Sequence, residues 1–457
     1  MISPTAASAS IDRSRARPGS PREVAVLAAP LVLTQLSQTL MHMTDSAFVG
    51  RLGAAELGGI GFATIWGWTF FCVFSGCATG VQTFVSQAHG AGRDSECGAW
   101  AWRGLWAVVL PATLSYALFG LLAEPFLGAL GATDEVKRHA VAYQHVRPLG
   151  IPALAAWIVL ASFFRGLGDT RTPLVTTVVA NVVNAVLAYG LVFGRLGLPA
   201  WGVAGAALAS SLSEWLEAAM LFAVLLRRAA RERYDTGPRR FERDAVFRFL
   251  RTSVPIGGQW LLDMSAFAIF TTLVARMGTA AMAANQAMLS LLSLSFMQAY
   301  GVGLATSTLV GRYKGAREPE AAERSLASAL RLGGGVTIAV AALFVLAPEA
   351  LLSIYTRDAA VLALGRPLLS LGAAFQLFDA LGIIVGGALR GAGDTRWPFV
   401  IQTLGAWALR LPLVWLFAIT LGYGIVGAWC AEFVFVTTLG LAFLVRFRGG
   451  AWRHVAI

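Results

Sequence analysis

Hydrophobic residues along this chain fall into twelve long stretches separated by short polar segments. Each stretch approaches or exceeds the length of about 20 residues that a helix needs to cross a bilayer. The stretches show no alternation of apolar and polar residues, and a bilayer interior tolerates only helices or closed barrels, so the pattern predicts helices. The predicted spans lie at about 25–49, 56–85, 98–122, 139–164, 173–194, 202–226, 252–275, 282–310, 325–347, 361–389, 397–421 and 424–445. The predicted fold class is an all-α polytopic membrane protein.

The composition excludes a cytosolic protein. Only 13% of the 457 residues are charged, against about 25% in an ordinary soluble domain. Mean hydropathy is +0.66, and so little charge cannot cover the surface of a soluble protein of this length. The four cysteines have no spacing typical of a disulfide framework or metal site. The spans contain no HExxH motif and no Ser-His-Asp order, so we expect neither an enzyme nor a bound cofactor.

The distribution of basic residues predicts the orientation in the membrane. Of the 36 Lys and Arg residues, 25 lie in the two terminal segments and the even-numbered connections, whereas seven lie in the odd-numbered connections. By the positive-inside rule both termini are cytoplasmic, and the net charge of +11 reflects this orientation, not binding to nucleic acid. Residues 1–23, rich in Ser, Ala, Arg and Pro, are predicted to form a disordered cytoplasmic tail.

A repeated motif divides the chain into two halves. The sequence RGLGDTRTP at 165–173 recurs as RGAGDTRWP at 390–398, identical at seven of nine positions and offset by 225 residues. Six spans per half make the halves parallel repeats, an arrangement known from secondary transporters. We predict an N-lobe over 24–226, a basic cytoplasmic linker over 227–251, a C-lobe over 252–446 and a C-terminal tail over 447–457. In the motif itself, the glycines suit a tight turn, and Asp169 or Thr170, like Asp394, is placed to cap the next helix.

Ionisable residues inside the spans are the candidate functional residues, because burying them in a membrane is costly. Asp263 and Asp379 lie about 18 Å and 17 Å from their inner helix ends, at 1.5 Å per residue. Two carboxylates at one depth suit a shared site for a proton or a sodium ion, the alternative being that each lies in its own hydrated cavity. Equal depth also predicts a structural ion pair between Arg410 and Glu432, with coupling of Arg410 to Asp379 as the second interpretation. The remaining candidates are Asp45 in the first span and the pair Glu214 and Glu217, an open second ion site on one helix face.

The sequence resembles the multidrug and toxic compound extrusion (MATE) transporters, and within them the DinF-like branch. The resemblance rests on TDSAFVGRLG at the end of the first span, both RGxGDTRxP turns, Asn181 and Asn184 in the fifth span, QLFDALG in the tenth and RLPLVW in the eleventh. It implies that Asp45 is the N-lobe protonation residue, with Asn181 and Asn184 bonded to it or lining its cavity. It also implies that the acids of the seventh and tenth spans, Asp263 and Asp379, form the C-lobe cation site.

The function that this resemblance implies is efflux of cationic or amphiphilic compounds in exchange for protons or sodium, by alternating access. We expect a monomer in the inner membrane, with the lipid bilayer and small amphiphilic substrates as its partners. One alternative is a lipid-linked saccharide flippase of the same superfamily, although the charges within the spans are mostly acidic. The other is a major-facilitator-type transporter, although residues 86–97 carry no basic GxxxD motif.

Overall fold

The computed structural model describes residues 17–129, 133–355 and 358–457. Within these residues, eleven helices are long and apolar enough to cross a membrane, and a bent helix pair counted as one span makes twelve. The prediction of an all-α polytopic membrane protein is confirmed. The spans, labelled α1 to α12, are Pro21–Gly50, Ala54–Gly90, Asp94–Leu121, the pair Asp134–Leu149 and Ile151–Leu167, Arg171–Phe193, Gly202–Leu225, Arg243–Ala275, Thr279–Gly315, Pro319–Leu346, Ala359–Gly391, Arg396–Thr420 and Gly424–Arg448.

Helix α4 is bent by 56° between its two parts. The bend follows a short 3-10 turn, Arg147–Leu149, and a break at Gly150. Pro148 and Pro152 lie on either side of this break, and each removes a backbone N–H donor that a continuous helix would use. Two prolines within five residues, with Gly150 between them, therefore account for the break in this span. Short helices at Ala123–Ala129, Arg228–Tyr234 and Pro348–Ser353 lie in the connections.

The chain forms two compact units, and their boundaries lie inside helices, not in the linker. Leu33–Gly257 is one unit, here the N-unit, and the described residues before Leu33 join Gly258–Ile457 in the C-unit. The predicted lobes, 24–226 and 252–446, therefore differ from the units at both ends. Boundaries at 32/33 and 257/258 are 225 residues apart, which is the offset of the repeated motif. Pro30 in α1 and Pro255 in α7 are also equivalent under this offset.

Close helix packing at glycine occurs at equivalent places in the two units. In the N-unit a Cβ on Gly76 would lie 2.6 Å from the Cα of Gly257, and in the C-unit a Cβ on Gly301 would lie 2.9 Å from the backbone nitrogen of Val32. Gly76 and Gly301 are 225 residues apart, as are Val32 and Gly257. Small residues allow helices this close in a membrane, where packing and not the hydrophobic effect drives their association.

The two copies of the repeated turn share their backbone but not their side-chain contacts. Gly168 and Gly393 both have a φ of +84°, the left-handed conformation that favours glycine. The Asp169 carboxylate accepts from the backbone nitrogen of Thr172 at 3.0 Å, which confirms the predicted cap. The Asp394 carboxylate accepts from Nε of Arg446 at 2.9 Å. In this second copy, the cap predicted for Asp394 gives way to an ion pair that ties the turn to α12.

The linker belongs to the N-unit because tryptophans of α3 hold its backbone. The indole of Trp102 donates to the carbonyl oxygen of Thr236, and that of Trp106 to the carbonyl oxygen of Arg239, both at 3.1 Å. Arg103, between them on α3, pairs with Glu242 at 2.8 Å. These contacts explain why a segment that looks like a connection in the sequence groups with the first half.

The described part of the predicted N-terminal tail is ordered, so the prediction of disorder through residue 23 is wrong for residues 17–23. Helix α1 starts at Pro21, and the buried Glu23 carboxylate accepts from the backbone nitrogen of Gly19 and from Oη of Tyr313, both at 2.8 Å. Residues 1–16 of that tail lie outside the described residues. The C-terminal segment also packs on the C-unit, where Trp452 stacks on Phe447 with a centroid distance of 4.8 Å.

Candidate ion-coupling sites

Asp45 lies on α1 with 6% of its surface exposed, and two neutral groups bind its carboxylate. Nδ2 of Asn184 on α5 donates to Oδ1 at 2.7 Å, and Oγ of Ser210 on α6 donates to Oδ2 at 2.8 Å. No ion pair of Asp45 occurs within the described part of the chain. Burying an ionised carboxylate without a counter-ion is costly, so this group is well placed to take up a proton.

The two asparagines of α5 have different partners. Asn184 makes the predicted bond to Asp45, whereas Nδ2 of Asn181 donates to the backbone oxygen and the hydroxyl of Ser37, both at 2.6 Å. Sequence reasoning missed Ser210, because a serine in a membrane helix is common and carries no charge that marks it. Its only signal is its position four residues before Glu214, on the same helix face.

Glu214 forms a buried ion pair with Arg147, which lies at the bend of α4. Nη1 and Nη2 of Arg147 donate to the two carboxylate oxygens at 2.8 Å and 2.5 Å. Both side chains are about nine-tenths buried. Arg147 was not among the predicted site residues, although a basic residue inside a span requires a partner.

Glu217 has a separate partner from Glu214. Its carboxylate accepts a hydrogen bond from Oγ1 of Thr177 on α5. The structure thus directs these two acids of α6 to different helices, and among the described residues no three His, Cys, Asp or Glu side chains are arranged to hold a metal ion. A second ion site at Glu214 and Glu217 therefore receives no support from the geometry.

In the C-unit, Arg410 on α11 lies between two acids. Its Nη1 is 3.4 Å from Oδ1 of Asp263 on α7, and its Nε is 3.6 Å from Oε1 of Glu432 on α12. Arg410 and Glu432 are nearly fully buried, whereas Asp263 is partly exposed. The predicted contact between Arg410 and Glu432 is present, and Asp263 joins it.

Asp379 on α10 completes this cluster. It lies within electrostatic range of Asp263 and of Glu432, and it makes no hydrogen bond or ion pair with any described residue. The structure therefore brings Asp263 and Asp379 into one region, as their equal depth predicted. It adds Arg410 and Glu432 to that region.

Comparisons with known proteins identify the family. The family profile MatE matches residues 30–190 and 255–416. The chain is 34% identical over 423 residues to a probable multidrug resistance protein NorM of Rhizobium meliloti, covering 91% of this chain and 89% of the relative. It is 29% identical to the multidrug resistance protein PmpM of Pseudomonas aeruginosa, covering 95% and 92%.

Solved structures share the fold. The eukaryotic MATE transporter AtDTX14 superposes with a TM-score of 0.85 at 20% identity, covering 94% of this chain and 96% of that one. The Vibrio cholerae MATE transporter VcmN in its bent form gives a TM-score of 0.83 at 21% identity, covering 94% and 96%. The predicted family, and with it the expectation that the chain is not an enzyme, is confirmed. The chain belongs to the MatE family of multi-pass membrane transporters.

Proposed function

We propose that this protein is a secondary active efflux antiporter that exports cationic or amphiphilic drugs in exchange for protons. The names of its relatives from Rhizobium meliloti and Pseudomonas aeruginosa, both multidrug resistance proteins, support the efflux of drugs. In this proposal the chain acts as a monomer in the inner membrane, with both termini cytoplasmic. It alternates between inward-open and outward-open states and needs no cofactor.

The observation that carries proton coupling is the environment of Asp45. Among the described residues, its carboxylate accepts hydrogen bonds only from the neutral groups of Asn184 and Ser210. Among the described residues, Asp45 does not belong to any group of three His, Cys, Asp or Glu side chains arranged to hold a metal ion. A proton needs only one carboxylate oxygen, so the site suits a proton.

Proton uptake at Asp45 would also alter how α1 is held. The ionised carboxylate accepts one bond from α5 and one from α6. Protonation of Oδ1 turns it into a donor that faces Nδ2 of Asn184, which can only donate, so this hydrogen bond is lost. Protonation of Oδ2 instead reverses the bond to Ser210, whose hydroxyl can accept it and donate to the backbone oxygen of Ala206. Protonation at Oδ1 therefore weakens the contact between α1 and α5, which links the binding of the proton to a rearrangement within the N-unit.

The test is drug accumulation in everted membrane vesicles with an imposed proton or sodium gradient. We expect uptake to follow the proton gradient and to be abolished by Asp45→Asn, which removes the titrating group with little change in volume. The matched control is Asp134→Asn, because the Asp134 side chain is 99% exposed. Immunoblots of the membranes check that both variants are present in wild-type amounts. Wild-type, proton-driven uptake by the Asp45→Asn protein would overturn the proposal.

A further inference from the structure

Arg147 and Arg410 are both buried and both pair with acids, but they are held in different ways. Arg147 makes two short bonds to the single carboxylate of Glu214, at 2.8 Å and 2.5 Å. Arg410 instead divides its charge between Asp263 at 3.4 Å and Glu432 at 3.6 Å. Charge-assisted bonds of an arginine are usually 2.7–2.9 Å long. Arg147 is therefore committed to one partner, whereas Arg410 is shared between two.

The hydrogen bonding of Arg410 is also incomplete. Its Nη2 donates to the backbone oxygen of Asp263 at 3.2 Å, but its buried Nε and the buried Oε1 of Glu432 have no hydrogen-bond partner among the described residues. The guanidinium lies 4.9 Å from the ring centroid of Phe435, a second favourable contact for a cation. Such a group compensates charge without being locked in one geometry.

Four charged groups from four helices make up this region. Asp263, Asp379 and Glu432 come from α7, α10 and α12, and Arg410 from α11. The amide of Gln402, one helical turn from the start of the π-helical segment Gly405–Arg410, also faces Asp263. Arg410 is the last residue of that π-helical segment. Such π-helical turns are rare in proteins as a whole, and those that occur are often at functional sites.

We propose that Arg410 is the resident cation of this carboxylate cluster and that it makes the cluster selective for protons over sodium. The guanidinium lies between the carboxylates of Asp263 and Glu432, in the position that a metal ion bound to both would occupy. Its positive charge also repels any other cation that approaches these carboxylates. A proton is not excluded in the same way, because it binds to one carboxylate oxygen and needs no shell of ligands. With all three acids ionised the cluster carries a net charge of −2, so up to two protons can bind before it becomes neutral.

The role of these protons in transport rests on the proposed antiport. The selectivity of the cluster for protons over sodium does not rest on it. Sodium binding is measurable on the purified protein without transport. Failure of proton-driven uptake in vesicles would overturn the antiport and leave the binding result intact. Sodium binding by the wild-type cluster would overturn the role of Arg410 and leave drug efflux intact.

The experiment compares melting temperatures of purified wild type and Arg410→Gln in sodium chloride and in choline chloride, at equal ionic strength and at pH 8. We expect no sodium-specific rise for the wild type and a clear rise for Arg410→Gln, with an apparent sodium affinity at least about tenfold higher. Arg410→Lys, which keeps the charge, should behave like the wild type. The double variant Arg410→Gln/Glu432→Gln should not show the sodium-specific rise in melting temperature, because one of the carboxylates that would bind sodium in place of Arg410 is then neutral.

The exposed Arg448 on α12 supplies the control, since Arg448→Gln removes one positive charge away from the cluster. It should give no response to sodium. A sodium-specific stabilisation of the wild type, as large as that of Arg410→Gln, would overturn the proposal. An Arg410→Gln protein that melts as a folded protein but shows no sodium response would do so too. If Arg410→Gln does not fold, the wild-type titration and Arg410→Lys still decide the question.

Discussion

Removal of Arg147 should destabilise the N-unit strongly, and removal of its partner as well should reverse most of the loss. The pair lies at the bend of α4 and is about nine-tenths buried, so water screens it little. Arg147→Met leaves the Glu214 carboxylate buried without a cation. Arg147→Met/Glu214→Leu replaces the whole pair by apolar side chains of similar size.

The size of the effect follows from the geometry. Two charge-assisted hydrogen bonds at about 1.5–3 kcal/mol each give about 3–6 kcal/mol, and breaking a buried ion pair typically costs about 3–5 kcal/mol. Gly150 leaves room for this pair, because a Cβ there would lie 2.6 Å from both Nη1 of Arg147 and Oε2 of Glu214. For a unit of this size, each kcal/mol lowers the melting temperature by about 2–4 °C, so the single variant should melt on the order of 10 °C lower.

The assay is thermal unfolding of the purified protein in detergent, followed by size-exclusion chromatography or a thiol-reactive dye. The double variant should return to within about 1–2 kcal/mol of the wild type, since a buried pair often contributes little net stability against an apolar substitute. Arg228→Met is the control, because the Arg228–Glu232 pair is exposed and worth at most about 0.5 kcal/mol. If the double variant is as unstable as the two single losses added together, Arg147 and Glu214 do not act as one pair. If Glu214→Leu alone kept full stability but lost ion-dependent uptake, Glu214 would be an ion site instead.

Two further predictions concern orientation and turn conformation. A cysteine at the exposed position Ser95 should react with an impermeant thiol reagent only in everted vesicles, and one at Thr133 only in intact cells, whereas the reverse pattern would invert the topology. Gly92 has a φ of +72° with no atom within 4 Å of an added Cβ, so Gly92→Ala should cost about 1 kcal/mol through its backbone conformation alone. The equivalent residue in the second half, Arg317, has a φ of +60°, so Arg317→Gly should raise the melting temperature slightly, and equal signs for the two changes would contradict this reading.

The spans and the repeat could be predicted from the sequence because a bilayer leaves the backbone few choices. Every buried N–H and C=O must be satisfied within its own segment, so apolar runs of sufficient length become helices. The bond between Asn184 and Asp45 was likewise accessible, because an intramembrane acid requires polar neighbours. The boundaries of the two units could not be predicted from the sequence. They depend on contacts such as those of Trp102 with the linker, which hydropathy does not reveal.

Pairings of charges were predicted only in part, because depth along a straight helix is a one-dimensional measure. It placed Arg410 level with Glu432, and the two side chains do meet. It missed the contact of Arg410 with Asp263, because a long arginine side chain reaches across several ångströms of depth. The depth calculation could not place Arg147, because it assumes a straight helix and α4 bends by 56° next to this residue.

The position of the unit boundaries has a consequence for the ancestry of this chain. The C-unit includes the first turns of α1, from the first half of the sequence, and the N-unit includes the first turns of α7, from the second half. The glycines that contact these helix starts, Gly301 and Gly76, are 225 residues apart. A half-length ancestor would carry both the donated helix start and the receiving glycine. It could satisfy both by exchanging helix starts with a second copy, as in a domain-swapped dimer. Gene duplication and fusion would then have made an existing exchange covalent, after which the acids of the two halves were free to diverge.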